Sequence, residues 1–582
     1  MGGLYIDNNR SLANLAGLET LTLIDGNLDI QNNENLVSLA GIDNLGEGSI
    51  DNLIIQNNSS LSKCSILGLC NYLSNPNGTV SVYNNAEGCN DPPQIAAGCG
   101  IPMTCLPYGN YYFFNQNDID EFQADYPDCT DLQGDVIISG IDILNLNGLS
   151  TIQSIGGNLN ITENNVLSNL NGLDSISFIG GDLQVSDNDS LPDMSGMGGL
   201  SFVGGNIFIG YNYSLSSIAG FDNLTSVNEG LSIYTNSITS LSGPGNLQSV
   251  GYLNISDNPD LLSLDGLENL TDVGAGLTIR NNSSLISLDG IGNVSDLNGS
   301  MNIYSNEALV SLTEMEHLTR VAGDVLITEN SSLENLSGLE NLSEIDGNLD
   351  LSNNTLLENL NGLLGLTMIN GNLRISGEYS LPDLQGLNNL TSIEGDITIN
   401  WNSVLSSLAG LENLNSIGGL LEIISNNGLT NLEGINSING SSIQDLYISY
   451  NYSLSTCHVQ SICDYLADPK GYVEIIGNSG SCATREEVEA ACVVGLDEEA
   501  QEAYDQFTIC PNPATGHFLI ETSRPLSGNT TFSLYNMNGQ EVMHRKMTNP
   551  VTGVDASRLP RGVYVLKVLE NADVHAVKLV IQ

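Results

Sequence analysis

Eleven cysteines are the residues in this sequence whose spacing points most directly to a chemistry. Two groups of four share the same internal spacing, with 5, 18 and 9 residues between successive cysteines. Neither group contains a C-x-x-C knuckle for zinc, and only His458 lies nearby. We therefore predict disulfides formed in an oxidising compartment, and each group of four leaves three pairings open. The candidates are Cys64, Cys70, Cys89, Cys99, Cys105, Cys129, Cys457, Cys463, Cys482 and Cys492.

Residues suited to catalysis are scarce. The chain has five histidines, three of them in its last 66 residues, so a site elsewhere would depend on His317 or His458. No H-E-x-x-H, P-loop, G-x-S-x-G or strand-associated G-x-G-x-x-G motif occurs. We expect no enzyme activity, and we predict no catalytic, cofactor-binding or discrete metal-ligating residue.

Closely spaced carboxylates leave three interpretations open. Asp187, Asp189 and Asp193 lie in SDNDSLPD, and Asp257 and Asp260 lie in SDNPD. They could be solvated turn residues, weak Ca²⁺ ligands, or the paired acids of a glycosidase. Neither segment has the spacing of a calcium loop, so we favour solvated turns, with weak and diffuse association of Ca²⁺ along an acidic surface.

Aromatic residues that follow short strands form a candidate binding face, because a tyrosine combines rigid contact area with a polar tip. The alternative is that these rings only cover the edge of the fold. Both interpretations stay open for the seven residues Tyr211, Tyr213, Tyr234, Tyr304, Trp401, Tyr450 and Tyr452.

These residues are carried by a repeat of about 24 residues, G-x-L-x-I-x-x-N-x-x-L-x-x-L-x-G-L. The L-x-I alternation predicts a short strand with both aliphatic side chains on one face. Stacked repeats would share one aliphatic core, and inward Asn side chains would bond the backbone at each bend. Glu378 interrupts this row and predicts a locally irregular turn. The predicted Asn ladder comprises Asn164, Asn188, Asn212, Asn236, Asn258, Asn282, Asn306, Asn330, Asn354, Asn402, Asn426 and Asn451.

Charge and repeat pattern divide the chain. It has 582 residues, 68 acidic and 14 basic, for a net charge of −54, which argues against a nucleic-acid partner. No apolar run is long enough to span a bilayer. We predict the last repeats of a truncated first solenoid at 1–101, a complete second solenoid at 102–495, an acidic linker at 496–508 and a separate domain at 509–582. Met1 is expected to be an internal start.

The repeat units resemble the receptor L-domain-like leucine-rich solenoids of Bacteroidetes surface proteins. The resemblance covers about residues 1–495 and implies an all-β, right-handed β-solenoid, here with disulfide-stabilised caps. It implies no catalytic residues and no single ligand.

The tail is similar to the C-terminal sorting domain of type IX secretion, through the segments ICPNPATG, LYNMNGQEV, LPRGVYVLKV and VKLVIQ. Short alternating strands separated by Gly, Asn and Pro turns also predict a small β-sandwich here. The resemblance implies export to the cell surface and a partnership with the type IX machinery. The matching residues are Pro511, Asn512, Pro513, Gly539, Gly562 and Tyr564.

These features predict a secreted or cell-surface protein that binds a glycan or another protein in adhesion or recognition. A structural surface-layer or spacer role is the alternative, and a polysaccharide-active enzyme is a weaker one.

Overall fold

The computed structural model describes residues 2–46, 48–103, 105–495, 507–522, 526, 530–536, 540–570 and 573–581. Most of its regular structure is β: long parallel sheets run through the repeats, and antiparallel sheets form the tail. The α-helices are Leu67–Ser74, Pro92–Cys99, Gln116–Asp120, Phe122–Asp125, Gln460–Ala467 and Arg485–Gly495.

Each repeat contributes one longer strand, which pairs in parallel with the equivalent strand of the next repeat. Leu183, for example, is in register with Leu159 on one side and Ile207 on the other. Alternate side chains of these strands are buried, as the L-x-I pattern requires. The longer strands are Leu4–Asp7, Gly26–Gln31, Ile50–Gln56, Val80–Tyr83, Tyr111–Phe113, Val136–Ile138, Leu159–Thr162, Leu183–Ser186, Ile207–Gly210, Ser226–Tyr234, Ser249–Ser256, Gly276–Arg280, Ser300–Tyr304, Val325–Thr328, Leu349–Ser352, Leu373–Ser376, Ile397–Asn400, Leu421–Ile424, Leu446–Ser449 and Val473–Ile476.

A second row of two-residue strands runs beside the first, and both rows merge in Ser226–Tyr234 and Ser249–Ser256. Its members also pair in parallel with the equivalent residues of neighbouring repeats. They are Asp131–Leu132, Ser154–Ile155, Phe178–Ile179, Phe202–Val203, Asp272–Val273, Asp296–Leu297, Arg320–Val321, Glu344–Ile345, Met368–Ile369, Ser392–Ile393 and Ser416–Ile417.

The remaining side of a repeat is a turn, which in several repeats takes the form of a short 3₁₀ helix such as Asn361–Leu363. Gly338 shows why glycine stands at such a corner. Its φ is +110°, and a Cβ there would collide with the carbonyl oxygen of Leu312 in the preceding repeat.

The two repeat arrays share one core. The Val80 carbonyl accepts a hydrogen bond from the Asn110 backbone at 3.1 Å, and Val80 forms a parallel bridge with Gly109. Beside it, the rings of Tyr83 and Tyr112 lie 4.2 Å apart. One cluster of buried apolar residues therefore runs from Leu15 to Val488, across the sequence boundary predicted at residue 101.

Disulfides fasten the helical segments. Cys70 and Cys99 join Leu67–Ser74 to Pro92–Cys99, and Cys463 and Cys492 join Gln460–Ala467 to Arg485–Gly495. The structure thus selects one pairing in each group of four, and the two groups pair alike. The complete set is Cys64–Cys89, Cys70–Cys99, Cys105–Cys129, Cys457–Cys482 and Cys463–Cys492.

Two antiparallel sheets enclose a separate apolar core in the tail. Its first strand begins at Phe507, which is buried in that core, two residues before the predicted boundary. Residues 496–506 of the predicted linker lie outside the described residues. The sheets comprise Phe507–Cys510, His517–Thr522 and Val551–Asp555, and Thr531–Asn536, Glu541–Lys546, Gly562–Glu570 and Asp573–Ile581. Nowhere in the described parts of the chain is a helix both long and apolar enough to cross a membrane.

Candidate functional site

Buried asparagines connect the repeats along one edge of the longer strands. The backbone N–H of Asn282 donates to Asn306 Oδ1 at 3.2 Å, and its Nδ2 donates to the Ile255 carbonyl at 3.0 Å. The predicted Asn residues share this arrangement and are buried, so backbone groups freed by the bend find partners without water. Five further Asn residues continue the Asn ladder in the first repeats and after Asn451: Asn9, Asn33, Asn58, Asn85 and Asn478.

Glu378 occupies a position in the Asn ladder. Its Oε1 accepts from the backbone N–H and the Nδ2 of Asn354, at 3.1 and 3.2 Å, and its own N–H donates to Asn402 Oδ1 at 2.9 Å. The turn is therefore bonded like its neighbours, contrary to the irregularity expected from the sequence. A carboxylate has no N–H to give, however, and the buried Oε2 has no partner among the described residues.

Burial governs the protonation of this residue. It raises the pKa of Glu378 to about 8, and the nearby charge of Asp350 adds to the shift, while the two hydrogen bonds from Asn354 oppose it.

A second row of polar side chains was missed by the sequence analysis. Asp182 Oδ1 accepts from the backbone N–H of Asn206 at 2.6 Å and from its Nδ2 at 3.1 Å, while Asp182 N–H donates to Asn158 Oδ1 at 2.7 Å. This row runs along the start of the longer strands and its bonds point the opposite way from those of the Asn ladder. The signal was present, since Asn or Asp precedes the first strand leucine in many repeats.

The residue before each Asn ladder position adopts a left-handed backbone, with φ between +54° and +62° where it is not glycine. Asn, Asp and Ser, whose short polar side chains suit that conformation or a turn, fill most of these positions. Tyr211, Trp401 and Tyr450 occupy it as well, with exposed fractions of 44%, 62% and 46%. We call these three residues the aromatic edge.

The other aromatic candidates lie beside this edge or on the strand next to it. Tyr213 is exposed, and Tyr234 is half-buried with its ring 5.4 Å from that of Tyr211, edge to face. Tyr304 is half-buried at the end of Ser300–Tyr304. Two exposed tyrosines one residue beyond the Asn ladder positions, Tyr379 and Tyr452, add to the same side; Tyr379 was not predicted.

The strand register sets the spacing along the aromatic edge. Trp401 and Tyr450 are two strand steps apart, or about 10 Å at ~4.8 Å per step. Tyr211 lies eight steps from Trp401, about 38 Å by the same spacing. Trp401 and Tyr450 can therefore contact one ligand, whereas Tyr211 belongs to a separate patch with Tyr213 and Tyr234.

Two of the sequence candidates for catalysis, His317 and Asp257, have structural partners, whereas the buried Nδ1 of His458 has no hydrogen-bond partner among the described residues. His317 Nδ1 lies 2.8 Å from the Gly292 carbonyl oxygen. In the next repeat, Asn341 holds the equivalent position and donates from its side chain to the Glu316 carbonyl in the same way. Asp257 is 3.4 Å from the Arg280 guanidinium and accepts from Asn281 Nδ2. Within the described ranges, no three His, Cys, Asp or Glu side chains are grouped to hold a metal ion.

One of the tail motif residues fastens the C-terminal strand. Asn512 Nδ2 donates to the Lys578 carbonyl at 2.6 Å, and its Oδ1 accepts from the Val580 backbone at 2.8 Å, between Pro511 and Pro513 in the sequence. The buried Tyr564 is the third residue of the strand Gly562–Glu570. Its hydroxyl donates to the Pro560 carbonyl at 2.7 Å. The predicted motif residue Gly539 lies outside the described residues.

Comparison with known families identifies this tail. Residues 508–582 match the family described as a secretion system C-terminal sorting domain, the type IX sorting signal. A search of curated proteins found no match to the chain. The sorting domain marks the protein as secreted or displayed at the cell surface, and implies interaction with the type IX machinery.

Proposed function

We propose that this secreted or surface protein is a non-enzymatic binding protein, a right-handed β-solenoid of the receptor L-domain type that presents aromatic side chains to a glycan or protein partner in adhesion. The observation that carries the proposal is the placement of the aromatic edge residues in a left-handed backbone. The proposed function needs no cofactor. Within the proposal, Ca²⁺ associates only weakly and diffusely with the acidic surface.

The backbone conformation makes these aromatic residues costly. A left-handed conformation costs a residue with a Cβ about 1–2 kcal/mol, and bulky side chains are the least suited to it. Equivalent turns of this chain use Asn281, Asn353 or Gly377 at the same position. Trp401 is 62% exposed, so burial of its side chain returns little of that cost.

Contact with a partner would account for an exposed aromatic side chain at such a strained position. Trp and Tyr dominate the energetics of protein interfaces, and both offer a large rigid surface with one polar group. The pair Trp401 and Tyr450 would form one contact patch with Tyr379 and Tyr452. The net charge of −54 favours neutral or cationic partners over polyanions.

The test replaces two of the three aromatic edge residues without straining their turns. Trp401→Asn with Tyr450→Asn keeps a residue that tolerates positive φ, and Ser425→Asn is the matched control at the same position of the intervening repeat. Binding of each full-length variant would be measured on a bacterial and host glycan array and on intact cells. We expect the double variant to bind about 30-fold more weakly, as for loss of a 2 kcal/mol hot spot, and the control to bind as wild type.

The stability of the double variant distinguishes this proposal from the alternative that the rings only cover the edge of the fold. If the rings act in binding, the double variant should unfold at the same or a higher denaturant concentration, because two strained positions are relieved. A loss of stability with unchanged binding would refute the proposal.

The second candidate is a spacer that holds other components away from the surface. The continuous side-chain bonds between successive repeats, such as those joining Asn282, Asn306 and Asn330, favour it because they stiffen the stack along its axis. Self-assembly of the purified chain without any ligand would support this candidate over the first.

A further inference from the structure

A small cavity lies where the two repeat arrays meet. Its walls come from Val80–Tyr83, from Tyr111–Phe113, from the first turn of Pro92–Cys99 and from the short helices Gln116–Asp120 and Phe122–Asp125. Its volume is about 40 Å³, enough for a group of a few heavy atoms.

Aromatic rings form much of the wall. Tyr83 lies 4.2 Å from Tyr112 and 5.4 Å from Phe114 between ring centres, and Phe122, in a short helix of the second array, lies 5.5 Å from Tyr126. The faces of such rings carry negative potential and attract cations within about 6 Å.

Three carboxylates share the cavity, and no Lys, Arg or His is among the described residues that line it. Asp91 caps the helix, with Oδ1 and Oδ2 each 2.8 Å from Gln94 donors, and Asp118 Oδ2 accepts from the Phe114 backbone at 2.8 Å. Among the described residues, the Asp125 side chain has no hydrogen-bond donor, and it is half-buried.

The negative charges are held there at a cost. Burial raises the pKa of Asp91 to about 6, with further contributions from the charges of Asp125 and Asp118. Burial also raises the pKa values of Asp118 and Asp125. A bound positive charge would lower the pKa values of all three carboxyl groups, because it attracts their ionised forms.

We propose that this junction cavity binds an organic cation, namely an ammonium or guanidinium group that lies against the wall formed by Tyr83 and Tyr112 and pairs with the Asp125 carboxylate. The cavity size admits the charged head of a small amine or of a Lys or Arg side chain. The described side chains are not grouped as metal ligands, so an organic cation fits the ring walls better than a metal ion does. The proposal is independent of the aromatic edge, which lies on other repeats.

The test titrates methylguanidinium chloride into the full chain by isothermal calorimetry, with methylurea as the neutral ligand of the same shape. Asp125→Asn removes the proposed partner, and Asp128→Asn removes an exposed carboxylate of the same segment that does not line the cavity. We expect saturable binding of the cation alone, weakened roughly tenfold by Asp125→Asn and unchanged by Asp128→Asn.

The paired variants exclude general attraction of cations to an acidic protein, because each loses one negative charge. Equal affinity of both variants for methylguanidinium, or binding of methylurea as strong as that of the cation, would overturn the proposal. Circular dichroism and thermal unfolding of both variants establish that the fold is retained. Affinity should also weaken as pH falls below about 6, where Asp91 becomes protonated.

Acetyl-arginine amide distinguishes an arginine side chain of a partner from a small free cation. Methylammonium tests whether the cavity also accepts an ammonium group. Tighter binding of acetyl-arginine amide than of methylguanidinium would assign the cavity to an arginine side chain of a partner. Equal or weaker binding would assign it to a small free cation. Failure of every cation to bind would overturn the junction site while leaving the aromatic edge untouched.

Discussion

At the scale of single residues, each turn of the repeat depends on two neighbouring positions with opposite requirements. The first must accept a left-handed backbone and faces solvent, as at Asn281, and the second must bond the backbone from inside the core, as at Asn282. Departures from this rule at Trp401 and Glu378 are therefore informative. Trp401 departs at the outer position, where it can meet a partner, and Glu378 departs at the inner one, where it places a titratable group.

Glu378 should make stability depend on pH. Its folded pKa of about 8 lies above the ordinary value of 4.5, so the folded state holds the proton more tightly than the unfolded state. The stabilisation from this group is fully present below about pH 4.5 and is lost as pH rises through 8. At 1.36 kcal/mol per pKa unit, the loss amounts to about 5 kcal/mol as an upper limit.

Replacement by Glu378→Asn should remove that dependence and restore the missing donor of the Asn ladder. Urea unfolding across this pH range should show a variant more stable than wild type above pH 8 and close to it near pH 5. The exposed Glu394→Asn serves as the control and should leave the pH profile in place. A profile identical to wild type for Glu378→Asn would show that Glu378 is ionised in the folded state at no cost.

At the scale of elements, the Asn ladder replaces much of the hydrogen bonding that a bend removes from a sheet. Asn282→Ala should destabilise the stack by about 2–4 kcal/mol, because the buried Ile255 carbonyl and the Asn258 N–H both lose their partners. Denaturant unfolding measures the loss, and hydrogen exchange should show it concentrated in the repeats next to residue 282.

The matched control for that experiment is Asn302→Ala. Asn302 lies on the outward face of a neighbouring strand, with one 3.3 Å bond to Thr278 Oγ1, so its loss should cost well under 1 kcal/mol. Equal losses for both variants would mean that the inward bonds contribute no more than surface contacts.

The same scale shows what the sequence could reveal about the fold. A spacing near 24 residues fixed the strand positions and the inward Asn row, because both depend on residues within one repeat. The pairing of Val80 with Gly109 was not predictable, since Gly109 lies 29 residues on, beyond a helical segment that breaks the period. The cavity at that junction was missed for the same reason: Asp91 and Asp125 belong to different arrays and meet only through it.

The candidate binding site was predicted only in part. The seven aromatic residues were identified by their place after a strand, but the left-handed backbone of three of them was not, because Asn and Trp give no common signal for positive φ. That conformation is what distinguishes Trp401 and Tyr450 from Tyr304, which lies on a strand. The disulfide pairing was likewise open until helix positions set Cys70 opposite Cys99.

At the scale of the whole molecule, an acidic repeat body is joined to a tail with its own core. Residues 504–582 hold seven basic and six acidic residues, so nearly all of the net charge of −54 belongs to the body. This division is consistent with a repeat body that is exposed outside the cell and a tail that interacts with the secretion machinery.

Export should depend on the attachment of the C-terminal strand to Asn512. Its side chain donates to the Lys578 carbonyl and accepts from the Val580 backbone, so Asn512→Ala leaves both groups without a partner and loosens the strand. We expect the amount of chain at the surface or in the medium to fall towards that of a chain ending at residue 507, with accumulation inside the cell, measured by fractionation and immunoblotting. Asn549→Ala, at an exposed side chain of the same tail, should be exported as wild type. Normal export of Asn512→Ala, with the tail shown to be unfolded in the purified variant, would mean that the machinery recognises the tail sequence and not its folded surface.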